Sequence, residues 1–148
     1  MVKRSRAVFI DRDGTINKKA PARGYINSWG EFEFIPGAAD AIKLLHDRGF
    51  KTVIVTNQSQ ISKGIVSQAD VDGINARMKR GLAEKGAPID GIYVCPHHDE
   101  NCPCRKPNIG LMTDAAKDLS IDISKSYVVG DSAKDMLMGK KAGDIFRM

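Results

Sequence analysis

The chain has 148 residues, of which 42% are hydrophobic and 28% are charged, and its formal net charge is +5. A chain of this length can bury a core without disulfides, and we expect a single domain spanning residues 1–148. The absence of low-complexity tracts and of long apolar runs argues against a disordered or membrane-spanning protein. The positive charge fits either an ordinary solvated surface or attraction of anionic ligands such as phosphates or nucleic acids.

The N-terminal segment and the cysteines both favour a cytoplasmic location. The segment begins with basic residues, but its apolar run stops at Asp11, before the hydrophobic region of a signal peptide could form. The three cysteines all lie between residues 95 and 104. An odd number of cysteines in one short segment fits a reducing compartment and a metal site better than a disulfide framework.

Short apolar runs rich in β-branched or aromatic residues alternate with segments of helical spacing. The predicted strands are residues 7–10, 52–55, 91–94, 126–129 and 145–148, and the predicted helices include residues 38–45, 71–82, 111–119 and 133–137. Gly49 and Gly86 are expected to end the first two helices. Ser67 and Ser132 are each followed three residues later by aspartate, which resembles a capping box.

This alternation predicts an α/β fold. We expect a doubly wound, Rossmann-like parallel sheet of about five strands with helices on both faces. Residues 17–36 have no helical spacing, and we expect them to form a hairpin or flap as a minimal cap. Parallel sheets of this kind bind ligands at the carboxyl ends of their strands, so the residues that follow each strand are the candidate site.

Two aspartates, Asp11 and Asp13, follow the first predicted strand and precede Gly14. Carboxylates two residues apart on an extended backbone point the same way and repel each other, unless they share a cation or transfer protons. The alternative is a turn in which both side chains cap backbone N–H groups. Asp131 directly follows the fourth strand and favours the first interpretation, because it can supply another oxygen for Mg²⁺.

Two further segments supply groups that suit a phosphoryl oxygen. Thr56 and Asn57 follow the second strand with a hydroxyl and an amide, although "TNQS" alone is typical of an ordinary turn. Lys106 supplies a positive charge, although a lysine beside proline is usually only solvated. The functional interpretation depends on the combination of carboxylate pair, hydroxyl, lysine and distal carboxylate on successive strand ends.

With this combination the chain resembles the haloacid dehalogenase superfamily of aspartate-nucleophile phosphatases. Its segments "DRDGTIN", "TNQS", "YVCPHH", "CPCRKP" and "VGDSAKDMLMGKKAG" are similar to the branch that contains heptose bisphosphate phosphatases and histidinol-phosphate phosphatases. The resemblance implies that Asp11 attacks phosphorus while Asp13 acts as acid and then as base. It also implies that Asp11, the Asp13 carbonyl and Asp131 hold Mg²⁺, and that Thr56 and Lys106 stabilise the phosphoryl oxygens.

The segment "CPHHDENCPCRKP" predicts a second, structural metal site. Thiolates and imidazole suit zinc, whereas phosphoryl transfer needs oxygen-bound Mg²⁺. Cys95 with His97, and Cys102 with Cys104, are each two residues apart and project to one side, which favours His97 over His98. Three thiolates and one imidazole fill a tetrahedral zinc shell. We expect this zinc loop to hold the adjoining Lys106 in place.

The substrate is predicted from the same resemblance. We expect a small phosphorylated sugar, with a heptose bisphosphate ahead of histidinol phosphate, bound by Arg12, Asn57, Gln58 and Arg105. The non-enzymatic alternative is a basic, zinc-stabilised module that binds nucleic acid, but it leaves the carboxylates unexplained. We therefore expect no nucleic-acid or membrane partner and a monomeric protein.

The chain also departs from the family it resembles. Relatives usually carry glycine at the position of Gln60 and often arginine at that of Lys63. The zinc loop is short, with four residues between His97 and Cys102.

Overall fold

A computed structural model describes residues 3–22 and 24–146 of the chain. The strands are β1 (Ala7–Ile10), β2 (Lys51–Asn57), β3 (Gly91–Cys95) and β4 (Tyr127–Val129). The helices are α1 (Ala38–Asp47), α2 (Gln68–Glu84), α3 (Gly110–Leu119) and α4 (Ala133–Phe146). Within the described residues, no helix has the length and apolar character that crossing a membrane requires.

The four strands form one parallel sheet in the order β3-β2-β1-β4. In β1, Val8 lies opposite Thr52 of β2 on one side and Tyr127 of β4 on the other. All four strands therefore end at the same edge of the sheet. The strand order reverses at β1, which has β2 on one side and β4 on the other, and this is where α/β sheets bind ligands.

Helices cover both faces of the sheet, because successive side chains of the apolar strands point to opposite faces and both sets need to be buried. One face packs the strand residues Ala7, Phe9, Val53 and Val55 against Leu111, Met112 and Ala115 of α3 and Met138 and Ala142 of α4. The opposite face packs Val8, Ile10 and Ile54 against Ile42 of α1 and Met78 and Leu82 of α2. The predicted doubly wound α/β class is confirmed.

The helix boundaries follow the predicted signals. Gly49 and Gly86 lie two residues beyond the ends of α1 and α2, with φ of 88° and 77°, values that glycine adopts without strain. The N-terminus of α2 has a complete capping box, because Ser67 accepts from the Asp70 backbone and Asp70 accepts from the Ser67 backbone.

The fifth strand predicted at residues 145–148 is wrong where the structure describes it. Residues 145 and 146 belong to α4, and residues 147 and 148 lie outside the described residues. Met138 and Ala142 are buried four residues apart, so they already form an apolar stripe on a helix, and no proline interrupts the segment that follows. The short apolar run was mistaken for a strand because periodicity alone cannot separate the two in so few residues.

The predicted flap is an irregular segment rather than a regular hairpin. Asn17 forms isolated bridges with Asp13 and with Phe34, and a short 3-10 turn covers Trp29–Glu31. The rings of Trp29 and Phe32 stack with centroids 4.9 Å apart, and Phe34 packs edge-on against both. The bridges hold the start and end of this segment beside β1.

Candidate active site

A cavity of about 300 Å³ lies at the carboxyl edge of the sheet. The predicted residues that line it are Asp11, Asp13, Thr56, Asn57, Arg105, Lys106 and Asp131. It is also lined by Lys19, Tyr25, Ser59, Ser132 and Lys134. A larger cavity of about 630 Å³ lies beside α3, but its lining residues include a single carboxylate, that of Asp122. The chemistry of the strand ends therefore identifies the smaller cavity as the candidate site.

Lys106 is buried at the base of this cavity and is surrounded by acceptors. Its Nζ donates to Asp11 Oδ1 at 2.7 Å, to Asp135 Oδ1 at 2.8 Å and to the Val55 carbonyl at 3.0 Å. These three contacts use every N–H of the ammonium group. The buried charge is therefore balanced and held in one orientation.

Asp11 combines burial with a cationic neighbour. Its Oδ1 accepts from Lys106 Nζ and, at 2.9 Å, from the Arg12 backbone N–H. Burial raises the pKa of Asp11 to about 6, even though the charge and hydrogen bond of Lys106 lower it. A cation at the other oxygen of Asp11 would favour the carboxylate form, which is the nucleophilic form.

Asp13 is held by hydrogen bonds on both of its carboxylate oxygens. Its Oδ1 accepts from Arg12 Nε at 3.1 Å, from Arg12 Nη2 at 3.0 Å and from Asn17 Nδ2 at 2.9 Å. Its Oδ2 accepts from Gln58 Nε2 at 2.9 Å. The Asp13 side chain therefore has a defined position at the cavity wall.

Two residues predicted to bind substrate, Arg12 and Gln58, do not line the cavity. Arg12 lies where the chain turns after β1, its carbonyl accepting from the Thr15 and Ile16 backbone, and its side chain is completely buried. There Arg12 Nη1 donates to Asn75 Oδ1 at 3.0 Å. Gln58 is 1% exposed and donates to Asp13 and Thr56. Both side chains donate hydrogen bonds to Asp13 instead, and their contact with substrate stays a prediction.

Thr56 and Asn57 act at the end of β2 in different ways. Thr56 Oγ1 accepts from Gln58 Nε2 at 2.9 Å, which leaves its own hydroxyl hydrogen free to donate. Asn57 Oδ1 accepts from the Lys106 backbone N–H at 3.0 Å, and Asn57 Nδ2 donates to the Lys106 carbonyl at 3.2 Å. The Asn57 amide therefore fixes the backbone of Lys106.

Three carboxylates form a candidate metal centre. Asp11, Asp131 and Asp135 each offer an oxygen within 4.8 Å of the others, and oxygen ligands suit Mg²⁺. Asp135 is fully buried, and its oxygens already accept from Lys106 and Ser132. Asp11 and Asp131 are therefore the members of this group that fit a metal, and Asp135 serves to hold Lys106.

Asp135 and Lys19 were not predicted as site residues. The capping pattern drew attention to Asp135, and the structure shows half of that pattern, since Asp135 Oδ2 accepts from the Ser132 backbone N–H at 3.3 Å. Lys19 Nζ lies 2.8 Å from Asp131 Oδ2. Gly14 passes directly beneath this pair with φ of 85°, and a side chain there would collide with Asp131 and Lys19.

A second cluster contains the four predicted zinc ligands, Cys95, His97, Cys102 and Cys104. Their Sγ atoms lie 2.8–3.9 Å apart, and His97 Nδ1 lies 3.2–3.8 Å from them. Sulfur atoms on a tetrahedral zinc are about 3.8 Å apart, given the usual Zn–S bond length. His98 instead pairs its Nδ1 with Ser62 Oγ at 2.7 Å. The donor set fits zinc, and the Cys95–Cys102 separation of 3.9 Å matches the tetrahedral value, whereas the other two Sγ pairs lie closer together.

The thiols of this cluster differ in their environments. The backbone N–H of Cys104 is the main cause that lowers the pKa of Cys102 to about 7. Burial raises the pKa of Cys95 and of Cys104. A bound metal favours the thiolate form of all three. Arg105 Nη1 donates to the His97 carbonyl at 3.1 Å, which joins the cluster to the cavity wall.

The sequence model of the polynucleotide kinase 3 phosphatase family matches residues 6–147. A D-glycero-beta-D-manno-heptose-1,7-bisphosphate 7-phosphatase from Pasteurella multocida is 42% identical over 144 residues, which cover 93% of this chain and 77% of the relative.

Two solved structures are similar over most of the chain. One is D,D-heptose 1,7-bisphosphate phosphatase from B. bronchiseptica, complexed with magnesium and phosphate. It has a TM-score of 0.85 and 34% identity, and the match covers 93% of this chain and 76% of that one. The other is a haloacid dehalogenase (HAD)-like phosphatase from Mesorhizobium loti, with a TM-score of 0.85 and 34% identity. That match covers 95% of this chain and 69% of the other. The chain thus belongs to the polynucleotide kinase 3 phosphatase family, within the haloacid dehalogenase superfamily of phosphatases.

Proposed function

We propose that the protein is a Mg²⁺-dependent phosphatase that removes a phosphate monoester from a small sugar phosphate, and that its substrate is D-glycero-D-manno-heptose 1,7-bisphosphate, cleaved at the 7-phosphate. The observation that carries this proposal is the convergence of Asp11, Asp13, Lys106 and Asp131 in one cavity at the switch point of the sheet. The name of the Pasteurella multocida relative supports the choice of substrate.

The chemistry divides into two steps. In the first, a carboxylate oxygen of Asp11 bonds to phosphorus, the bond from phosphorus to the sugar oxygen breaks, and Asp13 gives that oxygen a proton. In the second, Asp13 takes a proton from water, the water oxygen bonds to phosphorus, and Asp11 is released with inorganic phosphate. Burial of Asp11 beside Lys106 suits this role, because a desolvated carboxylate with a fixed orientation is a better nucleophile.

Residues at the cavity edge would stabilise the negative charge on the transferred phosphoryl group. Thr56 has a hydroxyl hydrogen to donate, and Lys106 supplies a positive charge next to Asp11. Asp11, Asp131 and the carbonyl oxygen of Asp13 would hold Mg²⁺. When bound, this ion neutralises phosphoryl oxygens and keeps Asp11 ionised.

We also assign zinc to the cluster of Cys95, His97, Cys102 and Cys104, as a structural ion. Cys104 is two residues before Lys106. Arg105, which lies between them, donates a hydrogen bond to the His97 carbonyl. Zinc would therefore close the loop that carries both cations. A filled shell of four protein ligands leaves no position for a reactive water, so this ion takes no part in hydrolysis.

The second phosphate of a bisphosphate needs its own cation. Arg105 lines the cavity, and a guanidinium can bind phosphate through two parallel hydrogen bonds. Asn57 lines the cavity as well, but its amide is already paired with the Lys106 backbone, so its contribution is to position Lys106.

A substrate panel tests this function. Purified protein with Mg²⁺ would be assayed for phosphate release from heptose 1,7-bisphosphate, histidinol phosphate and an oligonucleotide with a 3′-phosphate, each repeated with EDTA. We expect the heptose bisphosphate to have the highest kcat/KM and EDTA to abolish turnover. Preference for histidinol phosphate would transfer the function to that substrate, and preference for the oligonucleotide would contradict a sugar phosphatase. Inactivity on all three would favour the non-enzymatic, zinc-stabilised module.

A further inference from the structure

Gln60 is completely buried in the loop that follows β2, although it is a polar residue two positions beyond Gln58. Its Nε2 donates to Gln58 Oε1 at 2.7 Å. Its own Oε1 finds no hydrogen-bond donor among the described residues. Burying an amide oxygen without a partner is unfavourable, so the contact that Gln60 does make calls for a physical explanation.

The contact fixes the orientation of the Gln58 amide. Gln58 Nε2 has two hydrogens, which go to Asp13 Oδ2 and to Thr56 Oγ1, each at 2.9 Å. A flipped Gln58 would bring its oxygen against the Asp13 carboxylate and lose the bond to Asp13. Because Gln60 donates to the oxygen end, it makes the flipped form still less favourable. The result is a chain of hydrogen bonds from Gln60 through Gln58 to Asp13.

The opposite oxygen of Asp13 is already held by Arg12 and Asn17. With Oδ1 tied to these two residues, the contact from Gln58 fixes the remaining rotation of the carboxyl group about its last bond. Oδ2 is therefore the oxygen whose position depends on the glutamine pair.

We propose that Gln60 is a positioning residue for proton transfer: acting through Gln58, it aims the Asp13 carboxyl at the oxygen of the departing group. This inference rests on the proposed function, because it assigns Asp13 the role of acid and base. Gln60 itself does not line the cavity, so its effect on the reaction passes through Gln58 and Asp13.

The proposal predicts a dependence on the leaving group. A sugar alkoxide is a strong base and needs a proton as it departs, whereas p-nitrophenolate is a weak base and departs without one. The constant kcat/KM reports only the steps up to departure of that group. Misaiming Asp13 therefore lowers kcat/KM for a sugar phosphate far more than for p-nitrophenyl phosphate.

The test uses Gln60→Met, which keeps the length of the side chain and removes its donor, with the exposed Gln68→Met as the matched control. We expect Gln60→Met to lower kcat/KM for heptose 1,7-bisphosphate by about ten-fold or more, with less than about a two-fold loss for p-nitrophenyl phosphate. Thermal denaturation monitors the fold, and Gln60→Ala serves if the methionine variant does not fold.

A double variant tests whether Gln60 acts through Gln58. If it does, adding Gln60→Met to Gln58→Met causes no further loss on the sugar phosphate. Equal losses on both substrates, or multiplicative losses in the double variant, would overturn the inference while leaving the proposed function intact. A wild-type protein without activity on any sugar phosphate would overturn the proposed function itself, and the inference with it.

Discussion

The buried ammonium of Lys106 lies between the carboxylates of Asp11 and Asp135 and donates to both. The two carboxylates differ in their access to the cavity, and their roles differ accordingly. Asp135 is fully buried, and the side chain of Asp11 is 11% exposed towards the cavity. Removing one partner of a buried ion pair is costly, because it leaves a charge without compensation. Here a second carboxylate remains, so the loss of Asp135 should affect the orientation of Lys106 more than the fold.

Asp135→Asn is therefore expected to lower kcat by about ten-fold or more, because Lys106 loses a charged acceptor and its ammonium is no longer held in one orientation. The measurement is steady-state kinetics on heptose 1,7-bisphosphate with thermal denaturation in parallel. Asp114→Asn, an exposed substitution on α3, is the control. Wild-type kcat in the Asp135 variant would show that this carboxylate does not position the lysine.

Arg105→Ala is expected to raise KM for the bisphosphate much more than for a monophosphate of the same sugar. A hydrogen bond to a charged group is worth about 1.5–3 kcal/mol, which corresponds to a loss of about ten- to hundred-fold. Lys134→Ala removes another cation from the same cavity and is the comparison. Equal losses on both substrates would mean that Arg105 serves the reacting phosphate or the zinc loop.

Among single residues, the sequence identified those that lie at the carboxyl end of a strand. Asp11, Thr56 and Asp131 each come directly after, or at the end of, an apolar strand, so their meeting could be predicted from strand alternation. Gln60 and Lys19 could not be predicted, because their contacts depend on how irregular loops fold over the edge. The buried position of Arg12 could not be predicted either, because its contacts with Asp13 and Asn75 depend on the turn that follows β1.

At the scale of elements, β2 and the loop that carries the predicted zinc ligands together support Lys106. The loop starts at Cys95, the last residue of β3, and Asn57 at the end of β2 binds the Lys106 backbone from the other side. The lysine is therefore held between two segments that are far apart in the sequence.

Cys102→Ala is expected to remove the zinc and to lower activity strongly, because a tetrahedral site with three ligands no longer closes the loop that carries Arg105 and Lys106. Elemental analysis after metal-free purification and zinc reconstitution measures the metal, and phosphate release measures activity. His98→Ala is the control and should retain one zinc per chain. A stable, active wild-type protein without zinc would refute the assignment.

The flap contributes Lys19, whose ammonium lies beside Asp131 and whose pKa is raised chiefly by its hydrogen bond to that carboxylate. A positive charge there opposes a divalent cation on the same carboxylate. Lys19→Gln is therefore expected to tighten Mg²⁺ binding by about two- to five-fold, a modest effect because the pair is partly exposed. The shift of the thermal midpoint with Mg²⁺ concentration measures it, with Lys19→Arg as control. Weaker binding in Lys19→Gln would mean that Lys19 orients Asp131 for the metal.

The helices and strands with a clear pattern of apolar residues were predicted correctly. The strand predicted at residues 145–148, which has the weakest pattern, was not. The first four strands and the helices between them matched because β1 and β2 are short, almost continuously buried apolar runs, whereas burial in the helices recurs every three to four residues. The run at residues 145–148 is short and follows a helix without a breaker, so its apolar character did not distinguish strand from helix. The flap has few local signals, because its order comes from contacts with β1 and from its aromatic cluster.

At the scale of the whole molecule, the site exists only when the sheet is assembled. Lys106 and Asp11, which are 95 residues apart in the chain, meet at 2.7 Å. β1 lies between β2 and β4, so it brings the residues after three strands into one cavity. The class of fold and the location of the site could be predicted from the order of strands and helices. The sheet order itself could not, because nothing local specifies which strands pair.

The central claim is that Asp11 is the nucleophile of a Mg²⁺-dependent phosphatase. The most direct test is phosphate release from heptose 1,7-bisphosphate by the wild-type protein and by Asp11→Asn, which keeps the shape of the side chain and removes its charge. We expect wild-type turnover with Mg²⁺ and none with EDTA, together with an Asp11→Asn protein that folds normally and shows no measurable turnover. Activity near the wild-type level in a folded Asp11→Asn protein would contradict the covalent mechanism.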